Sequence, residues 1–151
     1  MMNEPLSSIM TRDVVTVSPE DSLTKVKELL FGKRFHHIPV VKGPEKQLVG
    51  IITSYDLMKL DIPFAEYGSH LVKNVMTTRV ATLEPSEQIG AAAQVFMRHL
   101  FHGLPIVNED KQLVGIVTTH DVLKYTYDKA YPDDAFELHF RNLEIVEEDK
   151  E

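Results

Sequence analysis

Apolar and polar positions along this chain follow one pattern, and the pattern is written twice. A short apolar stretch, Val14 to Val17, precedes Leu23, Val26, Leu29 and Leu30, which recur at helical spacing. An apolar run from Ile38 to Val41 follows. The turn Lys42-Gly43-Pro44-Glu45-Lys46 then leads to a second run, Gln47 to Ile52. Two apolar runs joined by a short Gly/Pro turn predict a hairpin. Pro39 confines its strand to a sheet edge or delays its start, because proline has no N–H to give a ladder. A second helix is predicted from Ser54, with Leu57, Met58 and Leu60 on its apolar side. The later copy carries Val80 to Leu83, then Ile89, Ala92, Val95 and Phe96, a shorter turn at Asn108 to Lys111, and Val122, Leu123 and Tyr125. The prediction is strand, helix, strand, strand, helix, twice over, an α/β fold. Ser18 is the expected N-cap of the first helix, with Pro19 at its first position and Gly32 as its stop; Pro85 plays the part of Pro19 in the second copy.

The literal repeat is equally clear. Ile9-Met10-Thr11 returns as Val75-Met76-Thr77, and His36-His37-Ile38-Pro39 as His102-Gly103-Leu104-Pro105, both 66 residues on. Gly50-Ile51-Ile52-Thr53-Ser54-Tyr55-Asp56 returns as Gly115-Ile116-Val117-Thr118-Thr119-His120-Asp121 at a spacing of 65, so one residue is missing from the intervening turn. The expected layout is a first repeat over 5–60, a linker over 61–73, a second repeat over 74–127 and an extension over 128–151. In the extension Phe136, Leu138 and Phe140 alternate with polar residues, and the end is acidic. A single copy of about 60 residues is marginal for a core, so the two should fold as one unit with related crevices between them.

Composition narrows the function. The 151 residues are 43% hydrophobic and 26% charged, within the globular range, with a formal net charge of −7. That charge argues against a duplex nucleic acid partner, whose affinity rests on phosphate neutralisation. No apolar run approaches the roughly 18 residues of a membrane span. The N-terminus has neither part of a signal peptide, and cysteine is absent, so a cytoplasmic protein is the expectation. The sequence contains no serine elbow, P-loop or dinucleotide-binding glycine fingerprint, which leaves catalysis without support.

Two constellations are candidates for binding. Gly-h-h-Thr-x-x-Asp (h, apolar) lies where a buried strand turns into a helix. Thr53 and Thr118 stand at the N-cap positions, where free N–H groups suit an anion, and Asp56 and Asp121 can accept from a pair of ribose hydroxyls. The same four residues also read as capping boxes with Asp in place of Glu, and both readings stay open. Lys33-Arg34-Phe35-His36-His37 and Arg98-His99-Leu100-Phe101-His102 are basic or titratable clusters at equivalent positions, suited to phosphate or to the C-terminal ends of helices. Metal binding by His36 and His37 is disfavoured, since neighbours on an extended segment point apart and no cysteine completes a set.

Together the Met-Thr opening, the His-x-h-Pro block and the Gly-h-h-Thr-x-x-Asp ending resemble a tandem pair of CBS (cystathionine β-synthase) domains, the Bateman module, over about residues 5 to 127. The resemblance implies two β-α-β-β-α repeats packed pseudo-symmetrically, and a disc-like homodimer of such pairs. It implies a non-catalytic sensor that binds AMP, ADP, ATP or S-adenosylmethionine in clefts between repeats and regulates a partner protein. It places ribose hydroxyls on Asp56 and Asp121, phosphate on Thr53, Thr118, His36 and His102, and adenine beside Thr11 with Val14 and Thr77 with Val80. His37 faces Gly103 and Tyr55 faces His120 in the alignment of the copies, so the clefts are expected to differ. A phosphate favours the charged imidazole, so binding of a phosphorylated ligand should tighten as pH falls from about 8 to 6. The alternative is an adaptor module whose clefts stay empty.

Overall fold

The computed structural model describes residues 2–33 and 35–133. Arg34, the alternating segment around Leu138 and the acidic end lie outside the described residues. Helix α1 (Leu23–Gly32), strands β1 (His37–Lys42) and β2 (Gln47–Thr53) and helix α2 (Ser54–Met58) form the first half. Helix α3 (Ile89–His99), strands β3 (Gly103–Val107) and β4 (Leu113–Thr118) and helix α4 (Thr119–Ala130) form the second. Each half holds an antiparallel hairpin with a register shift at the same place, between Val40 and Val41 and between Ile106 and Val107.

The extended segment that opens each copy touches its sheet at a single parallel bridge, Val17 with Val40 and Leu83 with Ile106. The predicted first strand is thus reduced to one residue. Proline explains where it can dock. Val17 N–H donates to the Pro39 carbonyl and Val41 N–H to the Val17 carbonyl, so the side of β1 facing Val17 is the side on which Pro39 has no donor. Pro105 stands in the same relation to Leu83.

Ser18 does not cap α1. Ser22 does, accepting from Lys25 N–H at 3.5 Å, while Ser18 to Asp21 form a separate turn closed by the Asp21 carboxylate on Ser18 N–H at 2.8 Å. The cause is a competing partner. The segment joining the copies runs past this turn, and its amides at Val72 and Lys73 donate to the carbonyls of Asp21 and Pro19. Those carbonyls are therefore unavailable to a helix. In the second half the N-terminus of the chain does the same: Leu6 and Ser7 donate to Glu87 and Pro85, and α3 begins only at Ile89.

The lead-in segments are thus exchanged. Leu6 and Met10, which precede copy one, are buried in the core of the second half beside Ile89, Phe96 and Val117. Tyr67 and Val72, from the joining segment, are buried in the core of the first half beside Leu23, Val26 and Ile52. Residues 61–73 are thus anchored to that core through Tyr67 and Val72, with 3₁₀ turns at Phe64–Ser69 and Val72–Asn74. Thr11 exchanges two backbone hydrogen bonds with Ile116 of β4, and Thr77 exchanges two with Ile51 of β2, all at 2.8–2.9 Å.

Glycine makes the crossing possible. A Cβ on Gly115 would lie 2.7 Å from Met10 Sδ and 3.0 Å from the Thr11 carbonyl oxygen; one on Gly50 would lie 2.8 Å from Met76 Sδ and 2.9 Å from the Thr77 oxygen. Not every apolar residue finds cover. Met58 and Leu123, placed by their spacing on the inner side of their helices, are 80% and 68% exposed, because α2 and α4 turn Leu57 and Val122 inward instead.

Gly50→Ala and Gly115→Ala should each lower unfolding free energy by about 1–3 kcal/mol, the cost of overpacking against a backbone that cannot retreat. Gly32→Ala, which meets nothing within 4 Å, should be neutral or slightly stabilising. Urea denaturation of the three variants is the check, and equal midpoints for all three would remove the close-approach account.

Candidate functional site

A cavity of about 1040 Å³ lies between the halves, and twelve of the candidate binding residues, drawn from both copies, line it. The exchanged segments place Thr11 and Val14 on one side and Thr77 and Val80 on the other. The hairpins bring His36, His37 and His102, and the strand-to-helix turns bring Thr53, Asp56, Thr118, His120 and Asp121. Lys33 and Arg98 of the two basic clusters are not among its walls. Lys59 and Arg79 are, and neither was singled out by motif. Arg79 was legible in principle: it lies two residues after Met76-Thr77, where the first copy has Asp13, so the copies carry opposite charges at one cavity-lining position.

The two Thr-x-x-Asp motifs are full capping boxes. Thr53 Oγ1 accepts from Asp56 N–H while Asp56 Oδ2 accepts from Thr53 N–H at 2.9 Å, and Thr118 and Asp121 repeat the arrangement with a distance of 2.7 Å. Each aspartate also accepts from its threonine hydroxyl through the same Oδ2. Capping thus occupies one carboxylate oxygen and leaves the other for separate work. The carbonyls of His36 and His102 accept from Ser54 and Thr119 N–H, which ties each histidine backbone to the helix start beside it.

At the centre three imidazoles converge. The His37 ring lies 6.1 Å from His102 and 6.4 Å from His36, centroid to centroid. His37 packs on Gly103, its counterpart in the second copy, where a Cβ would come within 3.1 Å of the ring. One side chain fills the space at this junction, and glycine makes room for it. Burial, followed by the charges of His102 and His36, pushes the His37 pKa down to about 4. His37 is therefore neutral between pH 8 and 6 and does not change its charge across that window. Among the described residues no cluster of three or more His, Cys, Asp or Glu is arranged to hold a metal ion.

The CBS domain profile matches residues 6–62 and 72–128. This chain belongs to the CBS domain family. As a CBS pair it is similar to solved structures of the same architecture. CBSX2 in complex with AMP superposes with a TM-score of 0.75 at 27% identity, covering 84% of this chain and 98% of that one. The CBS domain pair of protein MJ0100, in complex with 5′-methylthioadenosine and S-adenosyl-L-methionine, gives 0.71 at 25% identity, covering 84% and 98%. In sequence it is similar to the inosine-5′-monophosphate dehydrogenase of Korarchaeum cryptofilum, 38% identical over 125 residues. That match takes in 83% of this chain and 24% of the dehydrogenase, so the CBS pair spans about a quarter of that relative's length.

His37 supplies a pH test of the junction. Its folded pKa lies below the unfolded value of about 6.5. Its contribution to stability is therefore complete above about 6.5 and is lost as pH falls towards 4, where the folded protein finally takes up the proton. His37→Gln should flatten this part of the stability profile. Urea midpoints at pH 7, 5.5 and 4.5 for both proteins measure it, and parallel profiles would exclude a half-buried His37 held neutral at this junction.

Proposed function

We propose that this CBS pair is a non-catalytic sensor that binds an adenosine-containing ligand in the cavity between its halves and passes the occupancy to a protein it regulates. The observation that carries the proposal is that shared cavity. A volume of about 1040 Å³ is at the upper end for small-molecule sites, and its walls combine aliphatic side chains with a few convergent polar groups. Asp121 and Asp56 take ribose hydroxyls. Thr53, Thr118, His36, His102 and His120 take phosphate, with Arg79 adding positive charge. Val14 with Thr11, and Val80 with Thr77, flank the base. AMP in CBSX2, and methylthioadenosine and S-adenosylmethionine in the MJ0100 pair, support an adenosyl ligand as the class.

The exposed Met58, Met97, Leu100 and Leu123 support a second copy as partner, in a homodimer to be tested by sedimentation. Among the described residues no helix is long and apolar enough to cross a membrane. A second reading, an adaptor with an empty cavity, draws on the capping boxes, which explain Thr-x-x-Asp without a ligand.

Thermal denaturation with AMP, ATP and S-adenosylmethionine separates the two. A true ligand at about 100 times its Kd adds roughly 2.7 kcal/mol to stability. Asp121→Ala should cost about 1 kcal/mol of stability through the lost cap, and a further one to two decades in ligand affinity. No stabilisation by any of the three ligands, or a lost cap with unchanged affinity, favours the adaptor.

A further inference from the structure

The two aspartates that cap α2 and α4 use their Oδ2 atoms identically, and their Oδ1 atoms differ. Asp56 is 4% exposed, and its Oδ1 accepts from Thr77 Oγ1 at 3.1 Å and faces Lys59 Nζ at 3.5 Å. Asp121 is partly exposed, and among the described residues its Oδ1 has no hydrogen-bond partner. It is open to solvent, since no buried side-chain oxygen or nitrogen among these residues lacks a partner.

The difference traces to helix length and one aromatic residue. Lys59 and Lys124 stand at equivalent positions, three residues after their aspartates. Helix α4 runs for 12 residues and supplies Asp128 one turn on, which pairs with Lys124 and draws it along the helix at 2.5 Å. Helix α2 stops after 5 residues at Met58, and the position one turn beyond Lys59 is Pro63, outside the helix. Lys59 therefore has no acid to follow. It folds back, with Nζ 4.7 Å from the centroid of the Tyr55 ring and beside Asp56. The counterpart of Tyr55 is His120.

We infer that Tyr55, Lys59 and Thr77 form a clip that occupies the free oxygen of Asp56, so that the Asp121 half of the cavity takes the ribose of an adenosyl ligand first. The Asp56 half fills only as Lys59 and Thr77 let go. Lys59 is in this account a specificity-determining residue that selects between halves and contacts no ligand in the resting state. The inference rests on the adenosyl reading of the cavity.

Calorimetric titration of the full chain with adenosine, which has the diol and no phosphate, and with AMP tests it. Wild type should show two classes of site at least about tenfold apart. Asp121→Asn should remove the tighter class, and Asp56→Asn the weaker one alone. Lys59→Gln should tighten the weaker class for adenosine about three- to fivefold, the range of a partly exposed ion pair. Thr77→Val, which keeps the shape and removes the donor, should act in the same direction. Two equal sites, loss of the tighter class in Asp56→Asn, or a Lys59→Gln protein that binds adenosine as before and AMP more weakly would each overturn the clip. The last outcome would make Lys59 a phosphate contact. No binding of either compound to wild type or variants would instead sink the adenosyl reading, and the clip with it.

Discussion

The close passage of one copy's Met-Thr segment over a glycine in the other copy's strand is the contact on which the rest of this molecule depends. At Gly50 and Gly115 the backbones approach to a distance that excludes any side chain. The approach allows Thr11 and Thr77 to pair with Ile116 and Ile51, and it seats Met10 over Gly115 and Met76 over Gly50. Each half-core is thereby completed by residues that the chain lists with the other half, Leu6 and Met10 in one and Val72 in the other. The repeats are consecutive in sequence and interleaved in space. A half on its own would expose an apolar slot along its α-helix and leave backbone donors at the edge of its second strand unpaired, both of which oppose folding.

The cavity inherits this exchange. Its walls alternate between copies because the segments that carry Thr11 and Thr77 have changed sides. Near-symmetry places equivalent residues at equivalent stations, and departures from it decide what each station can do. His37 occupies space that Gly103 vacates. Asp13 is matched by Arg79, Tyr55 by His120, and a short α2 by a long α4. A capping box need not compete with a ligand, because a carboxylate has two oxygens. The cap uses Oδ2 in both halves, and the state of Oδ1 distinguishes an aspartate already satisfied from one still able to accept.

Much of this was legible in the chain. Periodicity and the repeat locate helices α1 to α4 and the two hairpins, and twelve of the residues selected by motif line one cavity, while Lys33 and Arg98 do not. Ser18 was misplaced as the helix cap because Ser-Pro-Glu-Asp is a good local start signal. The competing partners of that turn, Val72 and Lys73, lie some 50 residues away, where local pattern cannot see them. The strand over Val14 to Val17 failed for a related reason: a β-rich stretch is a strand only where a neighbour offers donors, and Pro39 offers none. The exchange itself leaves one trace in the sequence, a glycine inside each apolar run, which signals a close backbone approach without naming what approaches. Lys59 escaped notice because its role comes from where α2 ends.

Native-state hydrogen exchange at the Thr11, Ile51, Thr77 and Ile116 amides tests the exchanged architecture most directly, since these four donors close both crossings. All four should exchange only through global unfolding, with one common free energy. Opening of the Thr11 and Ile116 pair independently of the Thr77 and Ile51 pair, at free energies well below that of global unfolding, would contradict it.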